Sequence, residues 1–319
     1  MLRAVVLCVV FALPAKADVK AVVNDLIRPG YATFAKATQD LAAIDACDAD
    51  ALRPTYQTAF DAWMAVSHLH LGPGEDKGRS LAIAFWPDPK GLGSKAQLGL
   101  MLGDPANLEP ASFAEQSVAA RGLFGLERLL YPADPLPADP CPLIHATADD
   151  LARMAAEIDT GWATYGEVVI TAGQPDNATY LTDQEARQEL FTQLAAGLEY
   201  LADERIGRPL GTFDKPYPTR AEARASGRSL RNVQLSLAAL RAMASGLAPD
   251  IPKSLAAFDR AENLAFKLQD TTFAGVSDPQ TRLKIEILQQ DIWATRDAII
   301  AELGPALGVD LGFNSADGD

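Results

Sequence analysis

Histidine is scarce in this 319-residue chain. His68, His70 and His145 are the only three, and none opens an H-E-x-x-H or H-x-x-E pattern, which excludes a zincin. Cysteine is as sparse, with Cys8, Cys47 and Cys141 forming no C-x-x-C pair and no Cys/His cluster, so a zinc knuckle is excluded too. No G-x-S-x-G occurs, which removes the nucleophile elbow of a serine hydrolase. Long strand-like alternation is missing, and no Gly-rich loop follows a strand, which argues against alternating strand–helix units and a dinucleotide fold. Basic charge is in deficit: 28 Lys and Arg stand against 42 Asp and Glu, a net charge of −14. Nucleic acid and anionic membrane are poor partners for such a chain. The 48% hydrophobic content rules out disorder as the main state.

The N-terminus has the form of an export signal. Arg3 precedes an apolar run over residues 4–13, followed by Ala15-Lys16-Ala17, an A-x-A cleavage pattern. The run is too short to span a bilayer. Cleavage after Ala17 is expected, leaving a soluble periplasmic chain that starts at Asp18, with no membrane insertion. Two cysteines survive cleavage, each in a loop beside an expected helix end. The periplasm permits a disulfide between Cys47 and Cys141, with two free thiols as the alternative.

The remaining pattern is helical almost throughout. Helices are expected over 19–47, perturbed at Pro29-Gly30, and over 50–70 and 96–102. A central helix follows at 117–131. Beyond it come helices at 147–171, 183–206, 220–247, 254–271 and 278–303. Thr182 with Glu185 three residues on is a capping box. Residues 71–95 form the longest irregular stretch, and loops of that length inside a domain are commonly functional. It is expected to fold back over a bundle end and bring Asp88 near His68. The segment 131–142, YPADPLPADPCP, reads as a linker because its prolines cannot continue a helix. The expected division is a signal peptide at 1–17, an N-terminal helical bundle at 18–133 and a C-terminal one at 143–319. Each half has about four main helices, the count of an up-down bundle.

Residues 117–131, SVAARGLFGLERLLY, place Leu123, Leu126, Leu129 and Leu130 on one buried face. Gly122 and Gly125 each cost a helix about 1 kcal/mol relative to alanine, which close approach of a neighbouring helix would offset. Glu127 is carried into this apolar setting. It either pairs with an arginine such as Arg121 or Arg128, or lines a cleft where a ligand engages it. Arg220, Arg224, Arg228 and Arg231 recur at steps of four, four and three on the expected helix 220–247. In so acidic a chain that stripe is either Glu127's structural partner or a small-anion clamp.

The run Gly122-Leu123-Phe124-Gly125-Leu126-Glu127 resembles the glycine-x-histidine-x-x-glutamate signature of the imelysin (peptidase M75-like) family, with Phe124 where the family has histidine. Arg128-Leu129-Leu130-Tyr131 resembles the family's continuation. Trp63, His68, Gly72-Pro73, Phe85-Trp86-Pro87-Asp88 and the ending Leu311–Asp319 resemble one imelysin-like branch. The resemblance implies an all-α fold of two up-down helical bundles side by side, with a ligand cleft between them. It also implies a link to iron acquisition, through a metal ion, iron or a metal chelate, and with envelope iron-uptake proteins as partners. On that basis His68, Asp88, Arg121, Glu127 and Arg228 are the expected ligand-binding residues. Trp63 and Trp86 would wall the pocket, and His68 with Glu127 would supply metal ligands. Loss of the signature histidine favours a binding protein without catalysis. A metallopeptidase, or an envelope interaction module with a vestigial site, is the alternative. His68, Glu127 and Arg228 are expected to converge on one cavity.

Overall fold

The computed structural model describes residues 18–310. The expected export signal, Cys8 and the terminal stretch Leu311–Asp319 lie outside the described residues. Among those described, helices carry the fold and no strand forms. Helix α1 covers 19–42, α2 Ala49–Met64, α3 Arg79–Ile83, α4 Leu92–Leu102 and α5 Pro110–Ala114. Helix α6 is Gly122–Leu130 and α7 is Cys141–Ile170; α8 covers 183–210, α9 is Ser229–Leu247, α10 Pro252–Lys267 and α11 Pro279–Leu307.

Two of these helices contain a π-helical turn, Val22–Ile27 in α1 and Leu201–Gly207 in α8. Each turn ends two residues before a proline, Pro29 or Pro209. A proline has no N–H for the carbonyl four residues back, and its ring crowds that carbonyl. The wider turn supplies the room, so both helices continue past their prolines. The expected disturbance at Pro29-Gly30 therefore lies one turn earlier, and α8 runs on to Leu210. At its start, Thr182 Oγ1 accepts from the Glu185 N–H at 3.3 Å, while the Glu185 carboxylate accepts from the Leu181 N–H. The capping box forms with its return bond shifted by one residue.

Packing divides the helices into two groups. In the first, α1 lies against α2 and α7, and α6 lies against α2 and α7. In the second, α11 packs on α8 and α10, and α9 on α8 and α10. The groups meet where α9 crosses α2 and the π-helical turn of α1. Trp162 of α7 stacks on Tyr31 of α1 with ring centroids 5.6 Å apart, which ties the helix after the Pro-rich segment to the first group. The break expected between 133 and 143 thus falls inside the first group. The chain passes to the second group through 171–182.

Cys47 and Cys141 form a disulfide across 94 residues of sequence, joining the end of the α1–α2 connection to the first residue of α7. Gly122 is at φ +65°, a left-handed conformation, and a side chain there would collide with the carbonyl oxygens of Ala82 and Ile83. At Gly122 the close approach is made by the end of α3; at Gly125 it is made by the Ala120 carbonyl just before α6. A Gly122→Ala variant is expected to lose at least about 2 kcal/mol, from left-handed strain plus that collision. A urea unfolding curve measures it; a change below about 0.5 kcal/mol would contradict this packing.

The expected helix 220–247 begins only at Ser229. Residues 221–227 instead form a turn, with Ala223 at φ +46° and Gly227 at φ +71°. Glu222, at its start, is buried and bonded to Arg205 and Asn232. The four arginines therefore do not form a stripe on one helix.

A candidate ligand cleft at Glu127

Glu127 sits in the middle of α6, only 7% exposed, with its Oε1 turned toward the second half of the chain. There Oε1 accepts from the Ser226 N–H at 2.9 Å and from the Ser226 hydroxyl at 2.6 Å. No hydrogen bond to Oε2 forms among the described residues. Burial raises the carboxyl above its ordinary value, partly offset by the Ser226 bonds and by the charge of Arg128. Neither Arg121 nor Arg128 forms an ion pair with it. The acid is held at the seam by a serine.

Beside Glu127 opens a cleft of about 550 Å³, the size of an ordinary small-molecule site. The first half contributes residues 85–89, Phe124, Glu127 and Arg128; the second contributes Arg208 and residues 219–221 and 223–225. Phe124 takes the position of the signature histidine and packs edge-on against Phe60 at 5.5 Å, giving the cleft an apolar floor. Trp86 forms a wall, with its ring edge-on to Tyr200 and the Arg208 guanidinium 5.7 Å from its centre. Asp88 lines the cleft, but both its oxygens accept backbone N–H groups, from Leu92 at 2.8 Å and Gly93 at 2.8 Å, at the start of α4.

Of the expected site residues, Glu127, Asp88 and Trp86 meet at this cleft and the other four do not. His68 instead lines an apolar pocket with Val22, Leu26, Ile27 and Met243, where α2 ends against α1 and α9. Its Nδ1 is buried without a partner among the described residues. It is brought neither to Asp88 nor to Glu127, so the expected His68–Glu127 metal pair does not assemble. Arg121 is buried and bonded to Asp150 at 2.8 Å, fixing the start of α6 to α7. Trp63 packs in the core against Phe34 at 5.2 Å. Arg228 is 1% exposed, bonded to Asp61 at 2.7 Å and to Gln57, with its guanidinium 4.5 Å from the Phe60 ring centre. It holds the 221–227 turn against α2 and so supports the Glu127–Ser226 contact from behind.

Burial lowers the His68 imidazole to about 3, helped by the nearby charges of His70 and Arg205. A base depressed in the folded state contributes stability above its unfolded value near 6.5 and loses it as pH falls toward 3. The expected slope from this residue approaches about 1.4 kcal/mol per pH unit below pH 6. His68→Leu should flatten the loss between pH 6 and 4 in chemical denaturation; an unchanged profile would show that the imidazole is solvated.

Sequence spacing missed Arg128, Arg208, Arg220 and Arg224 as a group around one cleft, along with Ser226. Arg208 reaches it through a π-helical turn that has no periodic signature. Gly227 and Ser226, together with apolar recurrence that starts only at Leu230, were the available signs that 221–227 is a turn.

The cleft can accept a small ligand, offering guanidinium donors, one carboxylate oxygen without a hydrogen bond and aromatic walls. Relatives agree with the fold around it. The protein is similar to "Iron-regulated protein A" of Synechococcus elongatus, 27% identical over 239 residues, which are 70% of this chain and 62% of that protein. An imelysin-like protein from Psychrobacter arcticum superimposes with a TM-score of 0.76 at 21% identity, covering 94% of this chain and 100% of that one. A putative iron-regulated protein A precursor from Parabacteroides distasonis gives 0.61 at 12% identity, covering 90% and 96%. The family model for imelysin, peptidase M75, matches residues 24–299, and the chain belongs to that family.

Proposed function

We propose that this is an exported, periplasmic imelysin-like protein that binds a small, iron-linked ligand in the cleft at Glu127 without chemical turnover. One observation carries the reading: a buried carboxylate, held from the opposite half by Ser226, keeps one oxygen without a hydrogen bond beside a cleft of ligand size. The iron link is drawn from relatives named as iron-regulated proteins. Export fits the N-terminal pattern and the precursor named among the solved relatives. Among the described residues no helix is long and apolar enough to cross a membrane. A catalytic metal needs about three protein ligands. Here Phe124 replaces the signature histidine, His68 lies elsewhere and Asp88 is committed to α4, which leaves too few donors for a hydrolytic metal. Casein cleavage by untagged protein, with and without chelator, tests this. No chelator-sensitive turnover is expected; turnover that disappears in Glu127→Gln would establish a metallopeptidase instead.

A further inference from the structure

The charge lining the cleft differs from that of the molecule around it. In a chain of net charge −14, four guanidinium groups, Arg128, Arg208, Arg220 and Arg224, face two carboxylates, Asp88 and Glu127. Arg208 pairs with Glu204 at 2.9 Å. Arg128, Arg220 and Arg224 form no ion pair among the described residues. Arg128 donates to Gln97 and to the Ala119 carbonyl, both neutral acceptors, and Arg220 lies over the Tyr217 ring at 3.7 Å. Both Asp88 oxygens are committed to backbone N–H groups, so Glu127 Oε2 is the one lining carboxylate oxygen without a hydrogen bond among the described residues. A bare cation entering here would meet four positive groups and one such oxygen. An anion would meet planar donor forks suited to carboxylate oxygens. Phe85, Trp86, Pro87 and Phe124 add apolar walls, and about 550 Å³ is far more than an inorganic ion fills.

Building on the cleft reading above, we propose that its ligand is an organic polycarboxylate, free or already holding a metal ion, and not the bare cation. Arg208, Arg220 and Arg224 from the second half and Arg128 from the first clamp the carboxylates. Trp86 and Phe124 cover the carbon body. Glu127 Oε2 meets the metal, or a ligand hydroxyl, on the exposed side of the chelate.

The full chain is titrated with citrate, ferric citrate, inorganic phosphate and Zn²⁺ alone, following tryptophan emission, with Trp86→Phe to assign the signal. Citrate and ferric citrate are expected to change Trp86 emission. Both should bind at least tenfold more weakly to Arg220→Glu/Arg224→Glu, whose native side chains are exposed, with circular dichroism to check that the variant folds. Raising salt should weaken both. Phosphate binding as tightly as citrate would overturn the organic part of the proposal. A Zn²⁺ response lost in Glu127→Ala, with citrate silent, would overturn the anion proposal while leaving the cleft a ligand site. Silence of Trp86 toward all four probes would remove both.

Discussion

Arg205→Met is expected to destabilise the protein by about 3–5 kcal/mol, because it strands a buried carboxylate. Arg205 and Glu222 are both buried and joined at 2.8 Å, with Ser236 and Asn232 completing the network. Glu222 begins the turn that presents Arg224 to the cleft and Ser226 to Glu127. Loss of Arg205 therefore removes stability and loosens the second wall of the site together. Replacing both partners, Arg205→Met/Glu222→Leu, should recover most of the stability, since well-packed apolar pairs often match buried ion pairs. Ligand binding should stay impaired in the double variant, because the turn has lost its anchor. Urea denaturation of the two variants measures the first point. A single variant within 1 kcal/mol of wild type would show that water reaches Glu222.

The second large effect is expected at the disulfide. Opening a loop of 94 residues releases denatured-state entropy worth about 4–5 kcal/mol on the chain-entropy model. For a chain of this size that corresponds to a melting temperature lower by roughly 5–15 °C. Cys47→Ser/Cys141→Ser and the reduced wild type should melt alike, and both should keep the cleft, because the bridge lies at the end of the first helix group. Equal melting of oxidised and reduced protein would mean that the α1–α2 connection is already fixed by packing.

Much of the fold was legible because burial imposes the helical period wherever a helix has one wet face. The stripe Tyr31, Phe34, Ala37 and Leu41 in α1 is of this kind, whereas α6 is buried on nearly every side and read as helical from its leucines. The cysteine pairing was legible from the expected compartment. The grouping of helices was not, because a Pro-rich segment marks a break in the backbone without saying which helices pack on either side of it. The packing of α7 along α1 and α6, with Trp162 stacked on Tyr31 and Asp150 paired with Arg121, puts α7 in the first group. At the site, Glu127 was legible as an acid among leucines, but its neighbours were not. Arg121 and Arg228 differ little in sequence from Arg220 and Arg224, yet the first pair is buried against Asp150 and Asp61 while the second lines the cleft. His68 was expected at the site from the resemblance of its stretch to an imelysin-like branch; its pocket is apolar, and that likeness does not say where the side chain points.

If Glu127 serves a ligand as proposed, its burial comes at a cost to the fold. A carboxylate raised by burial binds its proton more tightly in the folded state, so stability falls as pH rises from the ordinary carboxylate range through the raised value. Glu127→Gln keeps an acceptor for Ser226 and removes that loss. The decisive measurement pairs unfolding at pH 7 with ferric citrate titration of Glu127→Gln. Glu127→Gln is expected to be at least as stable as wild type, with its affinity for ferric citrate lower by about tenfold or more. A destabilised variant with unchanged ferric citrate binding would contradict this and leave Glu127 a purely structural acid.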